Sequence, residues 1–219
     1  MRYLNGYKIF EDKNDTESIC DKYEITNYTI RTDGLVDVDH DVDLYNIGLY
    51  EIPLKFGHVT GIFDCSKNKL ISLSGCPDKI DNHFYCEENE LTTLEGGPTN
   101  VGGYYQCHYN RLTSLLGSPD KVGRGFYCSH NKLYSLEYFP RELNGVFDCS
   151  SNPIYPIVNK FVGGGSNARY IAMELFNDTD IVQERSVIYD RLVWFYEEIG
   201  IDFNQHTISE IEKYYTIKR

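Results

Sequence analysis

The sequence predicts an α/β solenoid, a right-handed superhelix of 21-residue coils carrying a parallel β-sheet on its concave face. Three observations carry that prediction. First, Cys65, Cys86, Cys107, Cys128 and Cys149 recur at a constant step of 21 residues. Second, further columns keep the same step. An aromatic stands two before each cysteine (Phe63, Phe84, Tyr105, Phe126, Phe147) and an asparagine three after it (Asn68, Asn89, Asn110, Asn131, Asn152). Third, the aromatic and the cysteine are two apart, the period of a strand, so both point inward from one short strand per coil.

In chain order, residues 1–41 read as an α/β N-terminal cap. Thr16–Tyr23 reads as a short helix with Asp15 or Thr16 at its start. Thr32-Asp33-Gly34 turns between Tyr28-Thr29-Ile30 and Leu35-Val36-Asp37-Val38, a β-hairpin, and Asn5-Gly6 offers another hairpin turn. Asp37, Asp39, Asp41 and Asp43 alternate with Val38, His40, Val42 and Leu44. Such a run invites a calcium site, but the glycine and distal glutamate of an EF-hand loop are misplaced. Strand alternation instead puts the acids on one solvated face, where they repel edge-to-edge pairing. An ion site is the alternative.

Residues 42–157 read as the solenoid. Val42, Leu44, Leu49, Ile52 and Val59 form a degenerate first coil with Ile47 in place of asparagine, as a terminal unit should be. Five regular coils follow. In each, the asparagine turns the chain away, and its amide is expected to bond backbone groups that the bend buries. Two aliphatic columns come next (Leu70 and Leu73 to Ile154 and Ile157), then Pro77, Pro98, Pro119 and Pro140, then Ile80, Val101, Val122 and Leu143. With Gly75, Gly96 and Gly117 the prolines make the return side tight and irregular rather than helical. The cysteine column reads as small core residues. No metal-ligand spacing is present, and thiol chemistry is the other alternative. Cys20 and Cys76 lie outside the column.

Residues 158–219 read as a helical C-terminal cap. Lys160–Ser166 reads as a flexible connection. Ile181, Ile188, Leu192, Phe195, Tyr196 and Ile199 share one helical face that stops at Gly200, and Thr207 with Glu210 matches a capping box for a last helix. Trp194 is assigned to the packing of these helices, with a ligand platform as the alternative.

The unit φ-x-C-x-x-N-x-L-x-x-L resembles the leucine-rich repeat, especially the short variety of secreted bacterial effector proteins. The chain as a whole is similar to a group of leucine-rich-repeat proteins encoded by large tailed bacteriophages. The similarity lies in Ile19-Cys20-Asp21-Lys22-Tyr23 with Asn27-Tyr28-Thr29-Ile30, in Val36 through Leu44, in Leu54 through Gly61, and in Glu174 through Asp178 with Asp190-Arg191-Leu192. This resemblance implies the architecture and a viral setting, and no mechanism. The ubiquitin-ligase domain that some effectors carry is not implied, because no cysteine follows Ile157.

Acids outnumber bases 33 to 21, giving a net charge of −12. Lys and Arg supply most affinity for phosphates, so this balance argues against nucleic acid and anionic membranes as partners. No apolar run is long enough to span a bilayer and no signal peptide is recognisable, so a cytoplasmic location is expected, in the host cell given the phage resemblance. Seven cysteines without an export signal do not suggest a disulfide framework.

With the inward columns subtracted, the outward strand residues change in every coil. The middle rows gather His83, Tyr85, Glu87, Tyr104, Gln106, His108, Tyr109, Tyr127 and His130, with Asp148 beyond them. Tyrosine anchors interfaces because it offers large area at low entropy cost and keeps a polar tip. Six strands at roughly 4.8 Å span about 24 Å, wide enough for a partner's helix or loop. An enzyme reading fails on direction: the cysteines point inward and the histidines outward. Glu87, Glu88 and His108 could pair as acid and base, but no oxyanion site or phosphate-binding glycine loop accompanies them. The expectation is a non-catalytic, monomeric protein-binding scaffold that needs no cofactor or metal. On the phage resemblance, its partner is a host protein such as a defence component. The alternatives are a small anionic ligand such as a signalling nucleotide, held at His83, His108 and His130, and a structural virion component.

Overall fold

A strand of two or three residues cannot stand alone, but a stack of equivalent ones can. The computed structural model describes residues 3–4, 7–8, 13–159, 175–176 and 178–219, and it contains that stack. Val42–Asp43, Phe63–Asp64, Phe84–Tyr85, Tyr104–Gln106, Gly125–Tyr127 and Phe147–Asp148 form one six-stranded parallel sheet in that order. Register follows the repeat: Phe63 pairs with Phe84, Phe84 with Tyr105, and Phe126 with Phe147. The chain is a β-solenoid.

Each coil also contributes a second strand. Val36–Val38, Phe56–Val59, Lys79–Ile80, Asn100–Val101, Lys121–Val122 and Glu142–Leu143 stack in parallel, and Tyr28–Ile30 closes this seven-stranded sheet antiparallel to Val36–Val38. The return side is therefore more regular than expected. With only one inward residue per coil at Ile80, Val101, Val122 and Leu143, this strand has no alternation to read.

The interior follows the columns. All five cysteines of the column, with Phe63, Phe84, Tyr105 and Phe126, are 0% exposed. None is in a disulfide, and burial pushes the thiols of Cys65, Cys86, Cys107 and Cys128 well above the ordinary cysteine range. A protonated, buried thiol is packing material rather than a nucleophile. The asparagines form the expected ladder. Leu91 N donates to Asn110 Oδ1 at 3.0 Å, and Asn110 Nδ2 donates to Cys86 O at 3.0 Å in the preceding coil and Cys107 O at 3.2 Å in its own. Asn89, Asn131 and Asn152 repeat this pattern, and Asn68 bonds Leu49 N and Leu44 O in the first coil. Immediately before each ladder asparagine, Lys67, Glu88, Tyr109, His130 and Ser151 adopt left-handed φ between 51° and 56°.

At the N-terminal end a helix spans Lys13–Lys22, beginning earlier than expected, so Asp15 lies inside it rather than capping it. The hairpin of Tyr28–Ile30 and Val36–Val38 is present, and Tyr3–Leu4 pairs antiparallel with Tyr7–Lys8, while Asn5-Gly6 itself lies outside the described residues. The aspartate run does more than repel an edge. Asp37 accepts from His58 N and Arg31 Nε, Asp39 from Thr60 Oγ1, Asp41 from Ile62 N, and Asp43 from Tyr45 N. Three of these acids stitch the hairpin coil to the next one, 21 residues on.

The C-terminal piece is mixed rather than helical. Val182–Gln183 pairs antiparallel with Ser186–Ile188, which pairs in parallel with Thr216–Lys218, and helices span Tyr189–Glu198 and Gln205–Ile211. The apolar spacing from Ile181 to Ile199 thus joins a hairpin to a helix, and only Leu192, Phe195 and Tyr196 are buried from the helix. The last helix is capped by Asn204, whose side chain accepts from Thr207 N at 3.0 Å, not by the expected Thr207–Glu210 box. Tyr196 Oη donates to Ile157 O and Tyr215 Oη to Tyr134 O, tying this piece to the last coils. Trp194 is only partly covered in this packing; it is 45% exposed. Lys160–Ser166 lies outside the described residues.

Candidate functional site

Alternation turns every second residue of the six-stranded sheet outward. Along its middle, Asp64, Tyr85, Gln106, Tyr127 and Asp148 lie side by side in register, all half-buried. His83 and Tyr104 flank this column on one side, with Glu87 and His108 on the other. Tyr109 and His130 sit one residue further on, in the left-handed bends rather than on strands.

The rings form two groups. His83 lies 5.7 Å from Tyr85 and 4.9 Å from Tyr104, whose ring meets Tyr127 edge-on at 6.0 Å. The Arg124 guanidinium extends this group, 5.8 Å from the Tyr104 centroid. In the second group Tyr109 stacks on His130 at 4.2 Å and 9°, and His108 approaches Tyr109 edge-on at 5.5 Å. Tyr109 is 52% exposed.

The three histidines are not equivalent. Tyr104 N donates to His83 Nδ1 at 3.0 Å, as Ile62 N donates to Asp41 Oδ1 two coils earlier. The imidazole therefore replaces a carboxylate as a backbone acceptor and must be neutral at that nitrogen. Burial and nearby Arg124 hold its pKa below the ordinary histidine value. Gly103 permits the contact, since a Cβ there would lie 2.1 Å from His83 Nδ1. His108 is also pushed down, by burial, with Glu88 and Asp148 opposing. His130 stands at the exposed end, in the ring stack.

Glu87 is the electrostatic anomaly of the face. Its Oε2 is sealed from solvent with no hydrogen-bond partner among the described residues. Burial pushes its carboxyl up to about 7, opposed by its own backbone N–H and by Lys67, while Asp64 and Glu88 add to the effect. Asp64 and Asp148, by contrast, are held by local turns: Asp64 Oδ1 accepts from Ser66 N and Oγ at 2.9 and 2.6 Å, and Asp148 Oδ1 from Ser150 N at 2.9 Å.

The sequence-derived residues thus share one face, and the structure adds Asp64 and Arg124 to them. Asp64 was legible as the register partner of Tyr85. Arg124 was not, because it lies in the corner between the two sheets, where no period marks its direction. Elsewhere, an open cavity of about 660 Å³ is lined by residues including Arg31, Phe56, His58, Cys76, Lys79 and Gly97. Its basic side chains are already paired, Arg31 with Asp37 and both His58 and Lys79 with Asp81.

Among the described residues, no group of three or more His, Cys, Asp or Glu is placed to hold a metal ion. None of their helices is long and apolar enough to cross a membrane. What the face offers chemically is ring area, neutral imidazoles and carboxylates on a rigid sheet. No family model, curated protein or solved structure matches this chain.

Proposed function

We propose that the chain is a leucine-rich-repeat protein that binds a protein partner, without catalysis, through the outward face of its six-stranded sheet. One observation carries this reading: rings from three adjacent coils meet on that face, from His83 and Tyr85 through Tyr104 and Tyr109 to Tyr127 and His130. The ladder beneath fixes their spacing, so little ordering entropy opposes docking. The asparagine ladder supports the repeat assignment. A phage origin, a host partner and a cytoplasmic setting rest on the resemblance of the sequence.

An anionic ligand fits the face less well. His83 spends Nδ1 on the backbone, and both His83 and His108 are shifted toward the neutral form. The test is recovery of partners from bacterial host lysate by the wild type and by a Tyr85→Ala/Tyr104→Ala/Tyr127→Ala variant of unchanged melting temperature. A partner retained by the wild type and lost by the variant is expected. Equal recovery of the same proteins would remove this face from the function.

A further inference from the structure

We propose that the segment docking on this face is cationic, a stretch of partner chain that sets Lys or Arg side chains against Tyr85 and Tyr127 between Asp64, Glu87 and Asp148. The inference rests on the reading of the face as a protein-docking surface and adds the partner's chemistry. The register places a carboxylate beside each ring: Asp64 opposite Tyr85, and Asp148 opposite Tyr127. A cation over a tyrosine ring is attracted by its π face, and a neighbouring carboxylate adds to that attraction.

The two cations at this face already have partners. Lys67 lies 3.6 Å from Glu88, and Arg124 stands over Tyr104 at the margin. The face therefore keeps an acidic excess within a chain of net charge −12, which steers basic partners toward it. Glu87 Oε2 makes the same point from below. Among the described residues it is a sealed acceptor without a donor, so a cation docked above it compensates an ionisation that the isolated protein resists.

A dependence on pH follows. The charged and titratable groups around Glu87 are Asp64, Lys67 and the Cys65 thiol from the preceding coil, Tyr85, Glu88 and the Cys86 thiol from its own, and the Cys107 thiol from the next, with His108 in register beside it. A docked cation favours ionised Glu87, so binding releases a proton and tightens as pH rises from about 6 to about 8.

The test uses fluorescence anisotropy with the full chain and two short labelled peptides, one alternating Lys and Ser, the other Glu and Ser. Saturable binding of the Lys–Ser peptide is expected, weakened about fivefold or more by Tyr85→Ala or Tyr127→Ala. A similar loss is expected for the Asp64→Asn/Asp148→Asn variant, which keeps an oxygen acceptor for each turn. Glu212→Gln, an exposed charge far along the chain, should leave binding unchanged. Glu87→Gln should abolish the gain with pH. The proposal is overturned if the Lys–Ser peptide fails to saturate, if it ignores the face variants, or if the Glu–Ser peptide binds better. Should the lysate partner be lost with the tyrosines while the Lys–Ser peptide is indifferent to them, the docking face stands and its cationic occupant does not. Should the lysate partner ignore the tyrosines, the face itself falls.

Discussion

In the second regular coil, Phe84 and Cys86 are 0% exposed, while Tyr85 and Glu87, one position along from each, look outward. The inward pair has counterparts of nearly the same type in every regular coil: aromatic, then cysteine. The outward positions do not; the Tyr85 column runs Asp64, Tyr85, Gln106, Tyr127, Asp148. The cause is the neighbour. An inward side chain touches the equivalent side chain of the next coil, as when Phe126 and Phe147 stack at 6.0 Å, so one solution to the packing serves all of them. An outward side chain meets solvent or a partner, and the fold does not dictate its type. Glu87 and His83 break this division, because each is partly drawn into the structure.

The asparagine ladder is where breaking the inward rule should cost most. Asn110→Ala removes the acceptor of Leu91 N and the donor to Cys86 O and Cys107 O, leaving buried backbone groups unpaired. A loss of about 2–3 kcal/mol is expected in urea unfolding. Tyr85→Ala, on the outward side, should stay within about 0.5 kcal/mol of the wild type. Equal effects from the two substitutions would erase the distinction between faces. At the cysteine column, Cys107→Ser forces a hydroxyl into a fully buried site and should cost about 2 kcal/mol. Cys107→Ala leaves a smaller penalty of about 1 kcal/mol because it only opens space. A neutral Cys107→Ser whose wild-type thiol reacts rapidly with an alkylating reagent would contradict the burial.

This contrast also explains what was legible in the sequence. A column can be read when the same environment recurs, so the cysteines, aromatics and asparagines gave the six-stranded sheet and its register. The second sheet went unrecognised because Lys79–Ile80 and its equivalents show one inward residue each, and two residues make no pattern. The C-terminal piece failed for another reason. Ile181, Ile188 and Leu192 satisfy helical spacing, yet the strand Ser186–Ile188 is held by Thr216–Lys218, a pairing remote in sequence. The positions of the site residues were legible, since alternation assigns direction. Their states were not: that His83 accepts a backbone hydrogen bond depends on Gly103 and on the corner between sheets, and the burial of Glu87 depends on its neighbours across strands.

Glu87 gives a sharper test, since it lies on the outward side yet is partly buried. Its folded pKa, about 7, lies above the usual 4.5. A carboxyl raised in the folded state contributes stability below its unfolded pKa, and that contribution is lost as pH rises through the folded value. Stability from this group should therefore fall between pH about 4.5 and about 7 and level off above. Glu87→Gln removes the slope. Allowing for solvent screening of a side chain that is only partly buried, the variant should be about 1–2 kcal/mol more stable near pH 8. Near pH 4.5 the two proteins should unfold at the same urea concentration. A variant less stable than wild type at pH 8 would mean that Oε2 also has a donor.

The smallest effect expected tests the inward rule at its one exception. Tyr105 occupies a column of phenylalanines, is fully buried, and its hydroxyl has no hydrogen-bond partner among the described residues. The space for that oxygen comes from Gly97, eight residues earlier, where Cys76, Ser118 and Phe139 stand in the other coils. A Cβ at Gly97 would lie 3.2 Å from Tyr105 Oη and 2.9 Å from Leu73 Cδ1. Tyr105→Phe removes an unpaired polar group and should stabilise the protein by roughly 0.5–1 kcal/mol, visible as a higher melting temperature. Gly97→Ser alone should destabilise by crowding Leu73 and the hydroxyl, and by less when combined with Tyr105→Phe, so the two changes should couple in a double-mutant cycle. If Tyr105→Phe instead lowers the melting temperature, the hydroxyl has a bond, and the neighbouring thiol of Cys86 is the group to exchange for alanine next.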